Sequence, residues 1–202
     1  MSERTIAGIR LLGGHVALDF TNTVDSRGER WGPDFLGTYL DLVVWAQRAQ
    51  LIDGSEVDLL LQAAKANPNE ADEALNRAKR LREALHAVFA AEARGRRADP
   101  EVESEVTDAV AKASAFRVLV PEPKGFGWRW FNEGLDAVAY RVAFAAAQLL
   151  VQRTDRRGVR ECLGPNCGWL FIDTSRGGKR RWCSDKSCGT HVRVRRFRAK
   201  EN

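Results

Sequence analysis

The chain has 202 residues and a formal net charge of +5 at pH 7, with 44% hydrophobic and 29% charged residues. This composition is that of a folded, soluble protein and excludes an intrinsically disordered one. The sequence has no run of about 18 apolar residues, so it predicts no membrane-spanning helix. It also has no signal-peptide pattern at its start. We therefore expect a cytoplasmic protein whose thiols are reduced.

Secondary structure is predicted from the period of the apolar residues. Residues 14–24, GHVALDFTNTV, are β-branched and aromatic with rough alternation, which predicts an N-terminal β-strand. Helical periodicity then dominates. Thr38 and Asp41 form a variant capping box before one helix, and the clearest helix is predicted over about 70–94.

The second half of this region contains one interruption. Asp99, followed by a proline, predicts the N-cap of another helix. Residues 116–131 then predict a β-hairpin around a Pro/Gly turn. Asn132 can cap a last long helix. The polar segment 153–161 is the predicted domain boundary. The predicted fold class is mainly α with short β segments, namely the N-terminal strand and the hairpin.

Charge is distributed unevenly along the chain. Residues 153–200 hold 14 Lys and Arg but only 4 Asp and Glu. The rest of the chain has an excess of acidic residues. A basic block of this kind indicates a polyanionic partner, and the alternative is a solvated charged tail.

All four cysteines lie in two pairs with the same C-x4-C spacing, separated by fifteen residues: Cys162, Cys167, Cys183 and Cys188. In a reducing compartment this pattern predicts a metal site. Thiolates are soft ligands, and four of them in tetrahedral geometry suit Zn²⁺. The alternatives are four ordinary buried cysteines and a redox pair, which normally has C-x-x-C spacing.

The residues around the cysteines predict a small finger. GWLFIDTSRGGKRRW, between the pairs, predicts a β-hairpin that ends at Trp182, and Ser184 can cap a helix over 185–200. A cysteine pair, a β-hairpin and then a helix that carries the last cysteine form a treble-clef-like or zinc-ribbon-like arrangement. A module of about 40 residues has too little core to fold alone, so we expect its folding to depend on the metal.

Two motifs resemble known families. C-x4-CGWLFIDTSRGGKRRWCS-x3-CG followed by VRVRRFRAK resembles the CGNR zinc finger of bacterial regulators. The LDFTNT sequence within 14–24 resembles the opening of the ABATE domain, which is usually joined to that finger. The resemblance implies a helical ABATE-like domain over 1–155 and a zinc finger over 159–202, in a bacterial stress-response transcription regulator that binds DNA. One departure is His191, where the family has arginine.

The basic residues of the finger are the predicted nucleic-acid contacts: Lys179, Arg180, Arg181, Arg193, Arg195, Arg196, Arg198 and Lys200. Arginine suits both phosphate and guanine edges. Val194 and Phe197 lie opposite the Cys188 face of the predicted helix, and we expect them to dock on the helical domain. The alternatives are that the helix bends at Gly189 or that Phe197 contacts the nucleic acid. Duplex DNA is the expected partner, and structured RNA and an acidic protein surface are the alternatives.

The N-terminal domain offers one candidate pocket. Asp19, Asn22 and Thr23 are polar residues within an apolar segment, and with Trp31 they could hold a small effector. The alternative is that they satisfy backbone groups. Homodimerisation is the other role considered for this domain. His15 and His86 form no catalytic constellation, so no enzyme is predicted, and Zn²⁺ is the one cofactor expected.

Overall fold

The computed structural model describes residues 5–131, 133–154 and 156–201. We call residues 5–154 the body and residues 156–201 the finger. The helices are α1 (Val16–Thr21), α2 (Tyr39–Arg48), α3 (Gly54–Ala66), α4 (Pro68–Ala93), α5 (Pro100–Ser114), α6 (Ala137–Val151) and α7 (Thr190–Glu201). The strands are β1 (Arg117–Glu122), β2 (Gly125–Trp130), β3 (Val159–Glu161) and β4 (Leu170–Ile172). They form two small antiparallel sheets, β1–β2 and β3–β4, so the mainly α fold class is confirmed.

The prediction of an N-terminal strand over 14–24 is wrong, because this segment contains helix α1. The ring Nδ1 of His15 accepts a hydrogen bond from the amide of Ala17 at 3.2 Å and caps the helix. Leu18 and Phe20 are fully buried. A short helix that is buried on most sides shows no amphipathic period, so its apolar run cannot be distinguished from a strand by pattern alone.

The helix caps predicted in the body form as expected. Thr38 accepts a hydrogen bond from the amide of Asp41, and the Asp41 carboxylate accepts one from the amide of Thr38, which completes the capping box of α2. Asp99 caps α5 through the amide of Glu101. The predicted cap at Asn132 lies outside the described residues.

Helix α6 is the central helix of the body. By length and composition alone the stretch Gly134–Thr154 could cross a membrane, but α1, α4 and α5 all pack against α6. Its buried positions include Val138, Val142, Ala146 and Leu149. Arg141 on the same helix forms ion pairs with Glu56 and Glu133. These contacts are those of a core helix, whose apolar face is covered by protein.

The predicted hairpin over 116–131 is confirmed by strands β1 and β2, which pair from Arg117 with Trp130 to Glu122 with Gly125. It stands at the surface, since Phe126 and Trp128 remain more than half exposed. The Arg117 guanidinium lies 3.6 Å from the ring centre of Trp128 within the hairpin and 3.2 Å from that of Phe144 on α6, so the second cation–π contact attaches the hairpin to the body.

The hairpin of the finger differs from the predicted one. Strand β4 pairs with β3, which precedes the first cysteine, and Glu161 lies opposite Leu170. The basic segment 179–182 was predicted to be the partner strand, but it is not a strand. The first cysteine pair therefore lies in the loop that joins the two strands. The amide of Cys162 continues the pairing with a hydrogen bond to the carbonyl of Trp169 at 2.8 Å.

Candidate zinc centre and basic helix

The finger brings all four cysteine sulfurs together. The Sγ atoms of Cys162, Cys167, Cys183 and Cys188 lie within 4.8 Å of one another. The Sγ atom of Cys183 is 3.7 Å from that of Cys167 and 3.6 Å from that of Cys188. A tetrahedral zinc ion with Zn–S bonds of about 2.3 Å requires sulfurs about 3.8 Å apart. The spacing and the donor set therefore both fit Zn²⁺.

The loop between the first two ligands is shaped for close packing. Asn166 and Gly168, on either side of Cys167, both have positive φ angles, which turn the chain tightly around the ligand. A Cβ atom added at Gly164 would lie 2.8 Å from the sulfur of Cys188. Glycine is therefore needed at this position, because any side chain would displace a ligand.

Backbone amides stabilise the thiolate form of the first ligand. The sulfur of Cys162 accepts hydrogen bonds from the amides of Gly164 at 3.4 Å and Cys183 at 3.2 Å. The pKa of Cys162 lies far below its usual value, first because the other three cysteines hydrogen-bond to its sulfur and then because the Cys183 amide does so too. A thiolate in this setting is the species that ligates zinc.

Arg180 serves the structure of the finger instead of standing free for a nucleic acid. Its guanidinium donates to the carbonyls of Leu12, Trp182 and Cys183 at 2.9, 3.0 and 2.6 Å. It also lies 4.1 Å from the ring centre of Phe171. The positive charge is therefore held next to the thiolates, whose total charge with one Zn²⁺ is about −2. It offsets part of that charge.

The other predicted basic residues are mostly exposed. Arg193 pairs with Asp185 through hydrogen bonds of 2.9 and 3.2 Å, so its charge is partly neutralised. Lys179 and Arg181 are exposed beside the metal centre. The side chain of Lys200 lies outside the described residues. Three exposed guanidiniums of α7 have no ion pair among the described residues: Arg195, Arg196 and Arg198.

The expected docking of Val194 and Phe197 on the helical domain is wrong. Their exposed fractions are 43% and 64%, and every residue over 193–199 is exposed. Helix α7 packs against the short π-helix Asp185–Gly189 that precedes it. The helix thus projects from the molecule, and the apolar side chains of Val194 and Phe197 remain in contact with solvent.

His191 is exposed at the start of α7. It borders a cavity of about 370 Å³ between the body and the finger. The sulfur-bearing residues Cys167, Cys183 and Cys188 line the same cavity, together with Arg10 from the body. The sequence does not reveal this cavity, because its walls come from two segments at least 130 residues apart.

None of the four candidate effector-pocket residues lines any of the cavities described here. The Asp19 carboxylate accepts a hydrogen bond from the amide of Gly13 at 2.7 Å, and the Asn22 amide pairs with the backbone of Leu170 in the finger. The Thr23 hydroxyl donates to the carbonyl of Phe20 at 2.8 Å.

Trp31 is 54% exposed and lies 5.2 Å from the Arg27 guanidinium. The hydrogen bonds of Asp19, Asn22 and Thr23 favour the alternative role of satisfying backbone groups. The effector pocket therefore stays a prediction.

Asp19 gives a pH dependence that can be measured. Burial raises its pKa to about 6, although the amide of Gly13 opposes this shift. A carboxyl whose pKa rises on folding stabilises the fold fully below its unfolded pKa. That contribution is lost as the pH rises through the folded value.

We expect Asp19→Asn, which keeps an acceptor but carries no charge, to gain about 1 kcal/mol relative to wild type between pH 5 and pH 7.5. Urea unfolding of both proteins at the two pH values measures this difference. The exposed residue Asp72, changed to Asn, is the control and should show no gain. A pH-independent difference for Asp19→Asn would show that its carboxyl is not perturbed.

Two family models match the chain, one over the body and one over the finger. The family model ABATE, described as "Putative stress-induced transcription regulator", matches residues 14–153, and the CGNR zinc finger model matches residues 158–201. No curated protein matches the sequence. Both models describe regulator or zinc-finger families, and neither is an enzyme family. The chain therefore belongs to the ABATE family and carries a CGNR zinc finger over residues 158–201.

Proposed function

We propose that the protein regulates transcription by binding duplex DNA through its finger. The single observation that carries this proposal is helix α7, which starts two residues after the fourth zinc ligand, projects into solvent and bears three guanidiniums without an ion pair among the described residues. These are Arg195, Arg196 and Arg198. Guanidiniums held on a rigid element bind phosphates without first having to leave a protein partner.

The geometry of the finger favours phosphate contacts on a broad surface. Lys179 and Arg181 lie beside the metal centre, where they border a separate cavity with Arg10 and Lys186. An α-helix fits the major groove of B-form DNA. Phosphate contacts position the protein on the duplex and carry no sequence information by themselves.

We further propose that residues 1–155 form a regulatory domain and residues 159–202 the DNA-binding domain. A cavity of about 730 Å³ between α4, α5 and α6 is large enough for a small effector. Titration of tryptophan fluorescence with candidate metabolites tests effector binding, and a sizing measurement tests homodimerisation. The proposed compartment is the cytoplasm, where the four thiols remain reduced and free to bind metal.

A competition experiment tests the choice of partner. The zinc-loaded full chain is bound to a fluorescent duplex of random sequence, and fluorescence anisotropy follows its displacement by unlabelled duplex DNA, structured RNA or an acidic protein. We expect duplex DNA to compete best, since A-form RNA closes its major groove to a helix. Stronger competition by RNA or by the acidic protein would overturn the proposal of DNA binding.

A further inference from the structure

A segment of the body runs alongside the loop of the finger that carries Cys167. The segment is 22–30 and the loop is 166–170. At one end, the Asn22 side chain makes two hydrogen bonds of 2.9 Å to the backbone of Leu170. Its Nδ2 atom donates to the carbonyl and its Oδ1 atom accepts from the amide. Both atoms are buried, and this amide therefore fixes the end of the loop.

The hydrogen bonds continue along the loop to the ligand itself. The amide of Arg27 donates to the carbonyl of Cys167 at 3.0 Å, and the amide of Gly28 donates to the carbonyl of Asn166 at 3.3 Å. The Asn166 side chain in turn accepts from the amide of Arg30 at 2.8 Å and donates to its carbonyl at 2.6 Å. The body thus holds the backbone of one zinc ligand and of the residue before it.

Two further contacts hold the middle of the loop. The indole N–H of Trp169 donates to the carbonyl of Val24 at 2.7 Å, and Nε2 of His86 lies 3.0 Å from the carbonyl of Gly168. Trp169 is itself buried. Every residue of the loop therefore has at least one polar contact with the body.

Two glycines allow this close approach. A Cβ atom added at Gly28 would lie 2.7 Å from the Cα atom of Asn166, and one added at Gly168 would lie 2.8 Å from the Cβ atom of Arg27. Neither contact can be relieved by rotating a side chain, because the backbone fixes the positions of both the Cα and the Cβ atom. The two segments are therefore matched in shape as well as in hydrogen bonding.

We propose that body segment 22–30 is an outer part of the zinc site and that it sets zinc affinity by holding the Cys167 loop in its ligating conformation. A free loop would have to lose backbone entropy when the metal binds. A loop already fixed by the body binds the metal without that loss. Partners that orient metal ligands typically change metal affinity by about 10- to 100-fold. Asn22 is thus a positioning residue for zinc, and this role does not depend on DNA binding.

The test measures the zinc dissociation constant of the full chain by competition with a fluorescent chelator. Asn22→Ala removes both bonds to Leu170, and Gly28→Ala leaves every side-chain partner in place but separates the two segments. We expect each variant to bind zinc at least about 10-fold more weakly. The matched controls are Asn76→Ala, at an exposed asparagine, and Gly54→Ala, at a glycine with open space around it. Both should stay within about twofold of wild type.

A second control separates positioning of the ligands from general loss of stability. Leu60 is buried in α3, which packs against α2 and α4 within the body, and Leu60→Ala destabilises the fold by opening a cavity there. We expect it to lower the thermal midpoint and to leave zinc affinity near wild type. Substitution of Co²⁺ checks the site, since the visible spectrum of a tetrahedral four-thiolate centre should persist in all variants.

Two results would overturn the proposal. One is wild-type zinc affinity in both Asn22→Ala and Gly28→Ala. The other is a loss of zinc affinity in Leu60→Ala as large as in those two variants, which would mean that any destabilised body binds zinc weakly.

Discussion

Replacing Cys183 with serine is expected to abolish stoichiometric zinc binding and to lower the thermal midpoint of the whole chain by about 10 °C. The sulfur of Cys183 is within 3.7 Å of two other ligand sulfurs, so its loss opens the metal site. The effect reaches the body because Leu170 and Phe171 of the finger are fully buried and belong to the same hydrophobic core as α1 and α4.

The expected size of this loss follows from how much of the finger's stability comes from zinc. The finger has only three-residue strands, and structural zinc contributes about 10–16 kcal/mol of apparent binding free energy in small fingers. If about 3–5 kcal/mol of this reaches the body, a chain of this size loses about 10 °C. Ser187→Ala, between two ligands but not itself a ligand, is the control and should melt like wild type.

Circular dichroism melting together with elemental analysis for zinc measures both expected losses. Treatment of wild type with a chelator should reproduce the low midpoint, and added zinc should restore it. An unchanged midpoint in Cys183→Ser, or zinc retained in that variant, would contradict the role assigned to the four thiolates.

The second large effect concerns the three exposed arginines of α7. We expect the triple change of Arg195, Arg196 and Arg198 to alanine to weaken binding to duplex DNA by about 100-fold or more at low salt. Each phosphate contact contributes about 0.9 to the slope of log K against log salt. Loss of all three contacts should therefore reduce that slope by about 3.

The control variant must remove the same number of positive charges from a surface other than α7. Arg80, Arg96 and Arg129 are exposed on the body and make no ion pair among the described residues. Their triple change to alanine also removes three positive charges, but it should alter the salt slope by less than about 1. If both triple variants lose the same affinity and slope, the DNA contacts are not on α7, and binding reflects net charge.

The zinc site could be predicted because its information is local. All four cysteines lie within 27 residues, and the two equal spacings of Cys162–Cys167 and Cys183–Cys188 are sufficient to predict a metal site. The helix caps at Thr38 and Asp99 were predictable for the same reason, since capping depends on residues two or three positions apart.

The errors concern residues whose conformation depends on distant partners. Residues 16–21 form a helix because the rest of the segment is buried against α4 and α6 and because Phe20 packs on Trp45. The ring centres of these two residues are 4.9 Å apart. Strand β4 pairs with β3 and not with the basic segment 179–182, where Arg180 turns inward to bind the carbonyl of Leu12 in the body. No short-range pattern contains these contacts.

The contact between the body and the finger was the largest feature that the sequence did not reveal. Asn22 and Leu170 are 148 residues apart, and nothing in the sequence joins them. One local signal was present: asparagine within an otherwise apolar segment requires partners for both ends of its amide. That requirement indicated a buried partner for Asn22, and the structure identifies the partner as the finger.

We propose that zinc holds the basic helix α7 in a form that binds DNA. Genome-wide immunoprecipitation of tagged wild-type protein beside Cys183→Ser, at matched protein levels, tests it most directly. We expect discrete DNA peaks for wild type that disappear in the variant. Peaks that persist in the zinc-free variant, or a wild-type protein that enriches no DNA, would contradict it.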